Sequence, residues 1–540
     1  MRSRRRNADI VGAARGQLVI DPGPRSIRGA NTQGPAYHCD GGRFLGTPVA
    51  LGELRTGGAG NLLVFGGSGQ SGTPRPHNPV TTFGNNDGWY DDVADGPVTA
   101  RVVRGGTELP VTGTWVIIGP PNYAPGIAAI VTLYDIAYQA YLDGHPHLPP
   151  RPVSFTRDIY PLLERFDRLQ WVNEGFYQGY GWHGQVPLLD PARLAPLADP
   201  SASAAAARQQ VYARFRDPAY RTFQEDAWPR VYGDSFDQPP QYPQQYLAVT
   251  PEQYRCLTAW AQGHFAADWR GAPPIPAQRI KDLPVAGRPA ALDEAALAAC
   301  SGGPFHPGVE ATWPLRQPSM YTDLCRLNVR PPGQAEPDYG NELTPVRALG
   351  ADGPLHASGP GDVTRWMAVP WQTDTSSCGS AYPNATRQPS PLPDLPTFWP
   401  AAVPNKVLIA QAYQRILSGG LSPQERQAAF AGRVPWGRHL APDYEGRIRQ
   451  FVTDWPRLGL IEPQPGPAHD PTFPAEMHVE RESGFPEGPS PHAQAIAAAL
   501  GGAGGGAAPA GQTGQDLDAA AAAERDMPAQ PPLDDWRAHL

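Results

Sequence analysis

The residues best suited to chemistry lie in the stretch 361–378. Asp374 precedes Cys378 by four residues, and the indoles of Trp366 and Trp371 are close to both in sequence. A thiol near a base is a candidate nucleophile, and a carboxylate buried among indoles is a candidate proton acceptor with a raised pKa. The alternative is that Cys378 is a small buried residue in an aromatic core. No histidine lies close in sequence to complete a dyad, so a catalytic partner would come from elsewhere in the fold.

A glycine-rich run at residues 67–72 offers a second kind of chemistry. It matches G-x-G-x-x-G and follows an apolar run at 62–65, as a dinucleotide-binding turn would. Such a site also needs a helix that opens immediately, with its N-terminus facing the pyrophosphate. Pro74 and Pro76 prevent that helix, so the run predicts a turn.

Four aspartates crowd into residues 87–95, namely Asp87, Asp91, Asp92 and Asp95. Several carboxylates could hold calcium, but the spacing is not that of an EF-hand and no terminal glutamate closes the loop. We therefore expect Asx turns and structural hydrogen bonds. A hydrolase with carboxylates drawn from Asp91, Asp92 or Glu310 is a weaker alternative, and the sequence has neither a G-x-S-x-G elbow nor an H-E-x-x-H helix.

The composition is that of a folded protein with many loops. The 540 residues include 59 Gly and 66 Pro, yet also 14 Trp, 20 Tyr and 16 Phe, an aromatic content that disordered chains lack. A formal net charge of −8 gives no reason to expect a nucleic-acid or membrane partner. The sequence has no apolar stretch of about 18 residues, which argues against a spanning helix. We expect no signal peptide after the N-terminal arginines.

The five cysteines are far apart in the sequence. They form no C-x-x-C pair and have no histidine at ligand spacing, so we expect neither a zinc site nor a dense disulfide framework. An odd number leaves at least one thiol without an intrachain disulfide partner. The cysteines are Cys39, Cys256, Cys300, Cys325 and Cys378.

Short β-branched runs dominate the first quarter of the chain and helical spacing dominates the rest. We predict strands at 18–20, 47–51, 61–65, 98–103 and 114–118, and helices at 133–142, 157–171, 204–215, 251–269, 293–300, 406–418, 422–430 and 443–458. The predicted fold class is α+β, with a sandwich-like, β-rich N-terminal part packed on a largely helical, loop-rich C-terminal part. The predicted divisions are a disordered 1–16, a β-rich 17–150, a mainly helical 151–486 and a disordered Ala/Gly/Pro-rich tail at 487–540.

The stretch from Trp366 to Cys378 resembles the signature of the lysine ε-oxidase and glycine oxidase quinoproteins, the LodA/GoxA-like family. Other segments resemble the family in the same order along the chain, and the resemblance covers roughly residues 15–465. These segments are LVIDPGPR (18–25), LGELRT (51–56), NNDGWYDD (85–92), PPNYAPG (120–126), GGPFHPGVE (302–310), FWPAAVPN (398–405) and RVPW (433–436).

In this family a cysteine and a tryptophan of the same chain are joined into cysteine tryptophylquinone (CTQ). The resemblance implies that Cys378 donates the sulfur, and that Asp374 assists cofactor formation and later proton transfer. It implies that Trp436 is the tryptophan, from its place after the cysteine, with Trp399 as the runner-up. Trp371 is too near Cys378 in sequence to be preferred. The helical part, 151–486, would then hold the cofactor.

The implied activity is oxidative deamination of an amino acid or other primary amine by dioxygen, which gives a carbonyl product, ammonia and hydrogen peroxide. The implied partners are the amino-acid substrate, dioxygen and a flavoprotein that installs the quinone, and a homo-oligomer is a candidate assembly. Lysine and glycine are both candidate substrates. The alternative is a non-catalytic scaffold or binding protein of the same fold that lacks the quinone.

Two features depart from the family pattern. Family members usually carry a further β-rich segment before the motif at 18–25, so we expect either a misassigned start or a trimmed protein. Lys406 follows the motif at 398–405, and we expect it on a helix surface rather than at the substrate. The cysteines other than Cys378 are expected to be buried thiols, and Cys300 is a candidate lining residue of a substrate channel. Cytoplasmic placement is the default expectation, with periplasmic or secreted placement as alternatives.

Overall fold

Most strands lie before residue 118 and most helices after residue 133. The computed structural model describes residues 3–224, 226–231, 243, 246–273, 279–302, 311–331, 333–334, 336–378, 400–481 and 483–485. Its helices are α1 (Leu133–Gly144), α2 (Tyr160–Arg168), α3 (Glu174–Tyr180), α4 (Pro191–Leu197), α5 (Ala205–Tyr212), α6 (Pro251–Ala261), α7 (Arg288–Ala298), α8 (Thr312–Leu315), α9 (Pro345–Leu349), α10 (Trp371–Cys378), α11 (Ala410–Leu417), α12 (Pro423–Ala431) and α13 (Tyr444–Asp454). This mixture agrees with the α+β class.

The strands are short. They are β1 (Ser3–Arg4), β2 (Gly42–Phe44), β3 (Thr47–Val49), β4 (Glu53–Thr56), β5 (Leu62–Phe65), β6 (Ser71–Gly72), β7 (Tyr90–Asp91), β8 (Ala94–Val98), β9 (Val102–Arg104), β10 (Thr107–Leu109), β11 (Thr114–Ile118), β12 (Tyr321–Asp323), β13 (Arg326–Leu327), β14 (Glu342–Leu343), β15 (Lys406–Val407), β16 (Val434–Pro435), β17 (Ile461–Pro465) and β18 (Glu476–Glu480).

Among the described residues, each strand pairs with one other strand in an antiparallel ribbon. The pairs are β1–β14, β2–β3, β4–β5, β6–β7, β8–β11, β9–β10, β12–β13, β15–β16 and β17–β18. The expectation of a sandwich-like N-terminal part is therefore wrong for these residues. The strands are two to five residues long. Pro48 removes one backbone N–H from β3, and Pro97 removes one from β8. Such short, interrupted strands give little ladder on which a larger sheet could grow.

The starts of the helices follow local sequence signals. Thr132, Thr250 and Ser422 each accept a hydrogen bond from the backbone of the third helical residue, whose side chain bonds back to the cap. These capping boxes fix the beginnings of α1, α6 and α12. The helix predicted at 251–269 ends early, at Ala261, because Gly263 adopts a φ of +82° and turns the chain.

One aromatic core joins most of the helices. Phe166 on α2 lies at its centre, with its ring centroid 5.2 to 5.9 Å from those of Phe176, Tyr180, Phe215 and Trp228. The same core receives buried side chains from residues 123–131 and from β17 and β18. Side chains from both sides of residue 150 enter this one core. The predicted division of the chain at residue 150 stays a prediction.

The N-terminal segment differs from its prediction. Disorder is expected for 1–16, yet β1 pairs with β14 and Arg6 Nη2 donates to the carbonyl oxygens of Arg365 and Met367 at 3.0 Å each. Asn7 bonds the aspartate-rich loop, through its N–H to Asp87 Oδ1 at 2.7 Å. The strand predicted at 18–20 is absent, because residues 12–18 form a 3-10 helix that ends where this strand would begin.

The ordered chain continues beyond the predicted last helix. After the helix predicted at 443–458, β17 and β18 form a hairpin that buries Ile461, Met477 and Val479 in the aromatic core. The predicted tail at 487–540 lies outside the described residues. No helix in the described part of the chain is long and apolar enough to cross a lipid bilayer.

Asp95 on β8 holds the segment 361–367 against the β-rich part. Its carboxylate accepts hydrogen bonds from Thr364 N at 2.7 Å, Thr364 Oγ1 at 2.6 Å, Val363 N at 3.2 Å and the Trp115 indole N–H at 3.0 Å. Burial raises the pKa of Asp95, and these four donors oppose that rise. The aspartate is therefore a structural link between distant parts of the chain, as the sequence analysis expects for this cluster.

Replacement of Asp95 should destabilise the protein strongly. We expect Asp95→Ala to lower the free energy of unfolding by about 3 kcal/mol or more, because it leaves several buried donors unsatisfied. Urea unfolding followed by tryptophan fluorescence measures the loss. Asp282→Ala is the control, since Asp282 pairs with Arg279 at the surface, and it should change stability by about 0.5 kcal/mol at most. Equal effects of the two changes would contradict the structural role of Asp95.

Candidate functional site

Helix α10 carries Asp374 and Cys378, and Asp91 fixes its beginning. Asp91 Oδ2 accepts a hydrogen bond from the Trp371 backbone N–H at 3.1 Å. The Ser71 hydroxyl lies within hydrogen-bond distance of both Asp91 Oδ1 and Gln372 Oε1. An acceptor at a helix N-terminus satisfies a backbone N–H that has no partner within the helix. The loop 85–92, which resembles the family, therefore positions the reactive stretch.

The glycine-rich run at 67–72 binds a side chain of its own protein. Asp92 Oδ2 accepts from the Gln70 N–H at 2.9 Å, and a side-chain carbon at Gly67 would lie 2.5 Å from the Asp92 carboxyl group. The run therefore wraps around Asp92, which agrees with the predicted turn. Among the described residues, no group of three His, Cys, Asp or Glu is placed to hold a metal ion. Structural hydrogen bonds account for the aspartates at 91, 92 and 95.

Trp436 is held rigidly in the core. It directly follows β16, which pairs with β15 so that Val434 faces Val407. The Trp436 backbone N–H donates to Asn405 O at 2.8 Å, and its indole N–H donates to Gly459 O at 2.9 Å. Only 1% of its surface is exposed. These bonds tie the motifs 398–405 and 433–436 together and fix the orientation of the indole.

Phe451 on α13 joins Trp436 to helix α10. Its ring centroid lies 6.2 Å from that of Trp371 and 6.4 Å from that of Trp436, with edge-to-face geometry in both pairs. Tyr123, from the motif 120–126, packs on Trp436 at 4.5 Å. Edge-to-face pairs contribute about 0.5–1.5 kcal/mol each beyond the burial of their area. The structure thus brings the element that carries Asp374 to the same aromatic cluster as Trp436.

Asp374 lies deep in the protein. It is 1% exposed, and all residues from Trp371 to Ser377 are buried. A side chain three residues after Trp371 lies on the same side of a helix. Trp371 contacts Phe451 of α13, so Asp374 lies on the side of α10 that faces α13. The carboxylate is buried as expected, and its contact with the indoles stays a prediction.

Arg447 is a site residue that the sequence analysis missed. It is 5% exposed on α13, one turn before Phe451. A side-chain carbon at Gly437 would lie 2.6 Å from Arg447 Nη2, so the guanidinium packs on the backbone directly after Trp436. A buried cation therefore lies beside the residue predicted to form the cofactor. The one local signal for Arg447 is its four-residue spacing from Phe451.

The other predicted site residues lie either apart from this aromatic cluster or outside the described part of the chain. Trp366 packs on Trp313, with ring centroids 4.6 Å apart. The side chain of Cys378, all of Trp399 and all of Glu310 lie outside what the structure describes. The separation of Cys378 from Trp436 is therefore still a prediction.

The expectations for Lys406 and the remaining cysteines need correction in part. Lys406 is half-buried in strand β15, opposite Pro435, rather than on a helix surface. Cys256 is buried as expected, and burial raises the pKa of its thiol to about 12. Cys300 is exposed, and Cys39 and Cys325 are half-buried, so these three are not fully buried thiols. Cys300 lies two residues after the end of α7, a helix without buried residues, and it is exposed like that helix.

Known proteins resemble this chain in both halves. A family model described as the L-lysine epsilon oxidase N-terminal domain matches residues 1–118, and one described as its C-terminal domain matches residues 232–399. An L-lysine 6-oxidase from Marinomonas mediterranea is 28% identical over 428 residues. The chain belongs to the LodA-like family. This confirms the resemblance on which the cofactor prediction rests.

Solved structures of the family share the fold. L-Lys epsilon-oxidase from Marinomonas mediterranea, in a structure with L-Lys, matches 89% of this chain and 77% of its own, with a TM-score of 0.62 and 22% identity. A second structure of the same oxidase gives a TM-score of 0.60 over 88% of this chain and 77% of its own. The alignment with the curated relative covers 69% of this chain and 54% of the relative, so the chain spans about half the length of that protein.

Asp91 gives the site a pH-dependent stability. Burial raises its pKa to about 7, well above the value near 3.9 that is usual in an unfolded chain. Between these values the folded protein keeps a proton that the unfolded chain has lost, so stability should fall as pH rises towards 7. Asp91→Asn stays neutral and can still accept from Trp371 N. We expect the free energy of unfolding of Asp91→Asn to rise relative to that of the wild type, by up to about 3 kcal/mol, as pH rises from about 5 to about 8.

Unfolding curves at several pH values measure this difference. The comparison with Asp91→Asn is needed because Asp167 and Glu480 also have pKa values raised to about 7 by burial, and both contribute to the slope of the wild type. A difference between the two proteins that does not change with pH would show that Asp91 does not titrate in this range.

Proposed function

We propose that this protein is an amino-acid or primary-amine oxidase that uses cysteine tryptophylquinone made from Cys378 and Trp436. Membership of the LodA-like family supports this function. The observation that carries it is the shared contact of Phe451 with Trp371 and Trp436, because it brings helix α10, and with it Asp374, to the predicted cofactor residue.

The geometry of the helix favours Trp436 over Trp371 as the crosslinked residue. Trp371 and Cys378 are the first and last residues of α10. At 1.5 Å per residue their Cα atoms are separated by about 10 Å along the helix axis, too far for a thioether within an intact helix. Trp436 directly follows β16 and contacts the Phe451 ring that also contacts Trp371 on α10. Its buried indole donates to Gly459 O and its backbone N–H donates to Asn405 O, which suits a group that must keep one orientation.

The proposed reaction needs a two-electron acceptor, which no ordinary side chain supplies. The quinone, once formed, would provide an electrophilic carbonyl for the substrate amine. In the overall reaction the amine carbon loses two electrons to dioxygen, which becomes hydrogen peroxide. Water supplies the oxygen of the carbonyl product, and the nitrogen leaves as ammonia.

The chain's own residues would bind, orient and move protons. Asp374 would accept the proton from the substrate carbon that bears the amine, since a buried carboxylate is a suitable general base. The aromatic ring of Tyr123 and the edge of Phe451 would exclude water from the indole. Arg447 would stabilise negative charge that develops near Trp436, because its guanidinium packs on Gly437. A flavoprotein that installs the quinone is the proposed maturation partner.

Substitution of single tryptophans tests which one forms the quinone. After co-expression with the proposed flavoprotein, Trp436→Phe should lack both the visible absorption band and quinone staining of the denatured chain. Trp399→Phe is the matched control and should keep both signals. Retention of the stain in Trp436→Phe together with its loss in Trp399→Phe would move the cofactor to Trp399.

Substitution of Asp374 tests its role as the base. We expect Asp374→Asn to lower peroxide production with an amino-acid substrate by about 10²–10⁴-fold, the usual range for loss of a general base. The absorption band, recorded on the same sample, separates lost proton transfer from lost cofactor formation. Asp454→Asn is the control, because Asp454 is a partly exposed residue of α13 that pairs with Arg457. Unchanged activity in Asp374→Asn would refute its assignment.

A further inference from the structure

An ion pair with a buried carboxylate lies beside the backbone that holds Trp436. Glu480, at the end of β18, has a side chain that is 1% exposed, and its Oε2 lies 2.8 Å from Arg438 Nη1. Within the described part of the chain neither carboxylate oxygen of Glu480 accepts a hydrogen bond, so Oε2 has only the ion pair with Arg438. A carboxylate that is removed from water with so few partners is costly, and the cost has no evident purpose for the hairpin itself.

Both members of this pair contact the backbone that holds Trp436. Arg438 Nη1 donates to Pro435 O at 3.3 Å, in the peptide group that joins Pro435 to Trp436. On the other side, a side-chain carbon at Gly459 would lie 2.7 Å from Glu480 Oε1 and 2.5 Å from Glu480 Cγ. Gly459 therefore leaves the space that the carboxylate occupies. Its carbonyl oxygen is also the acceptor of the Trp436 indole N–H, at 2.9 Å.

Among the described residues, Arg438 is the ion-pair partner of Glu480. Burial raises the pKa of Glu480 to about 7, against the opposing effect of Arg438. His439, the next residue in the chain, has a pKa lowered by burial and by the charges of Arg438 and Arg457. The Leu408 and Leu460 carbonyls accept from the backbone N–H groups of Glu480 and Arg481, and both side chains are uncharged.

We propose that Glu480 is a positioning residue for Trp436. Together with Arg438 it fixes the Gly459 carbonyl that accepts the indole N–H, and its charge sets the electric field at the ring. The expected effect of Glu480 on a quinone made from this ring rests on the proposed function. The expected effect on the unmodified indole does not. Neutral Glu480 leaves the Arg438 charge uncompensated beside the ring, and an uncompensated cation favours the electron-rich, reduced form of a nearby redox group.

The first test reads the indole in protein that cannot form the crosslink. In Cys378→Ala labelled with ¹⁵N-tryptophan, the indole N–H signal of Trp436 is assigned by its loss on further substitution with Phe. We expect this signal to shift with a midpoint near pH 7, and to lose that titration in the added Glu480→Gln. Glu462→Gln is the matched control, since Glu462 lies in the same hairpin and pairs with Arg481 at its exposed face. It should leave the titration unchanged.

A second variant guards against misfolding of Glu480→Gln. Arg438→Gln removes the cation that stabilises charged Glu480, so the midpoint should move to higher pH. An indole signal that is the same in Cys378→Ala and Cys378→Ala/Glu480→Gln at about pH 8, where Glu480 is charged, overturns the proposal. So does a midpoint that Arg438→Gln does not move.

The second test reads the matured protein. At about pH 8 we expect Glu480→Gln to raise the reduction potential of the quinone, and Glu462→Gln to leave it unchanged. If wild-type protein forms no quinone, the proposed function fails while the indole titration still decides the role of Glu480. If the quinone forms and its potential and the indole signal are both insensitive to Glu480→Gln, only the role of Glu480 fails.

Discussion

The site depends on one ring, that of Phe451, which contacts Trp371 and Trp436 edge-on. Trp371, at the start of helix α10, and Trp436, directly after strand β16, are far apart in the sequence, and both contact this ring. Because a thioether requires atoms held within bonding distance, small displacements of either partner would prevent the link. Packing at Phe451 therefore has to be precise, and the remaining structure can be understood as the means of holding both partners against it.

Buried aspartates supply much of that support. Asp91 receives the first backbone N–H of α10, Asp92 is wrapped by the loop 67–72, and Asp95 receives four donors from the segment before α10 and from β11. Each carboxylate is costly to bury, and backbone N–H groups offset that cost. The β-rich part thus acts as a set of acceptors that orders the reactive stretch. A loop rich in aspartate need not hold a metal to be essential.

The sequence predicts local features better than their assembly. Ser422 with Pro423 and Glu425 predicts the start of α12, since a capping box involves only neighbours. The described residues do not form the predicted sandwich, because whether two-stranded ribbons join into a larger sheet depends on partners far along the chain. Asp374 and Cys378 stand out through their spacing and family motif. Arg447 and Glu480 do not, because each is a single charge whose role comes only from contacts with Gly437 and Gly459.

The most direct measurement of the central claim is a peptide map of the protein after maturation with its flavoprotein. The account predicts one crosslinked species in which the peptide that contains Cys378 is joined to the peptide that contains Trp436, with oxygen added to the indole. Recovery of both peptides separate and unmodified, from material that oxidises an amino acid, would contradict it.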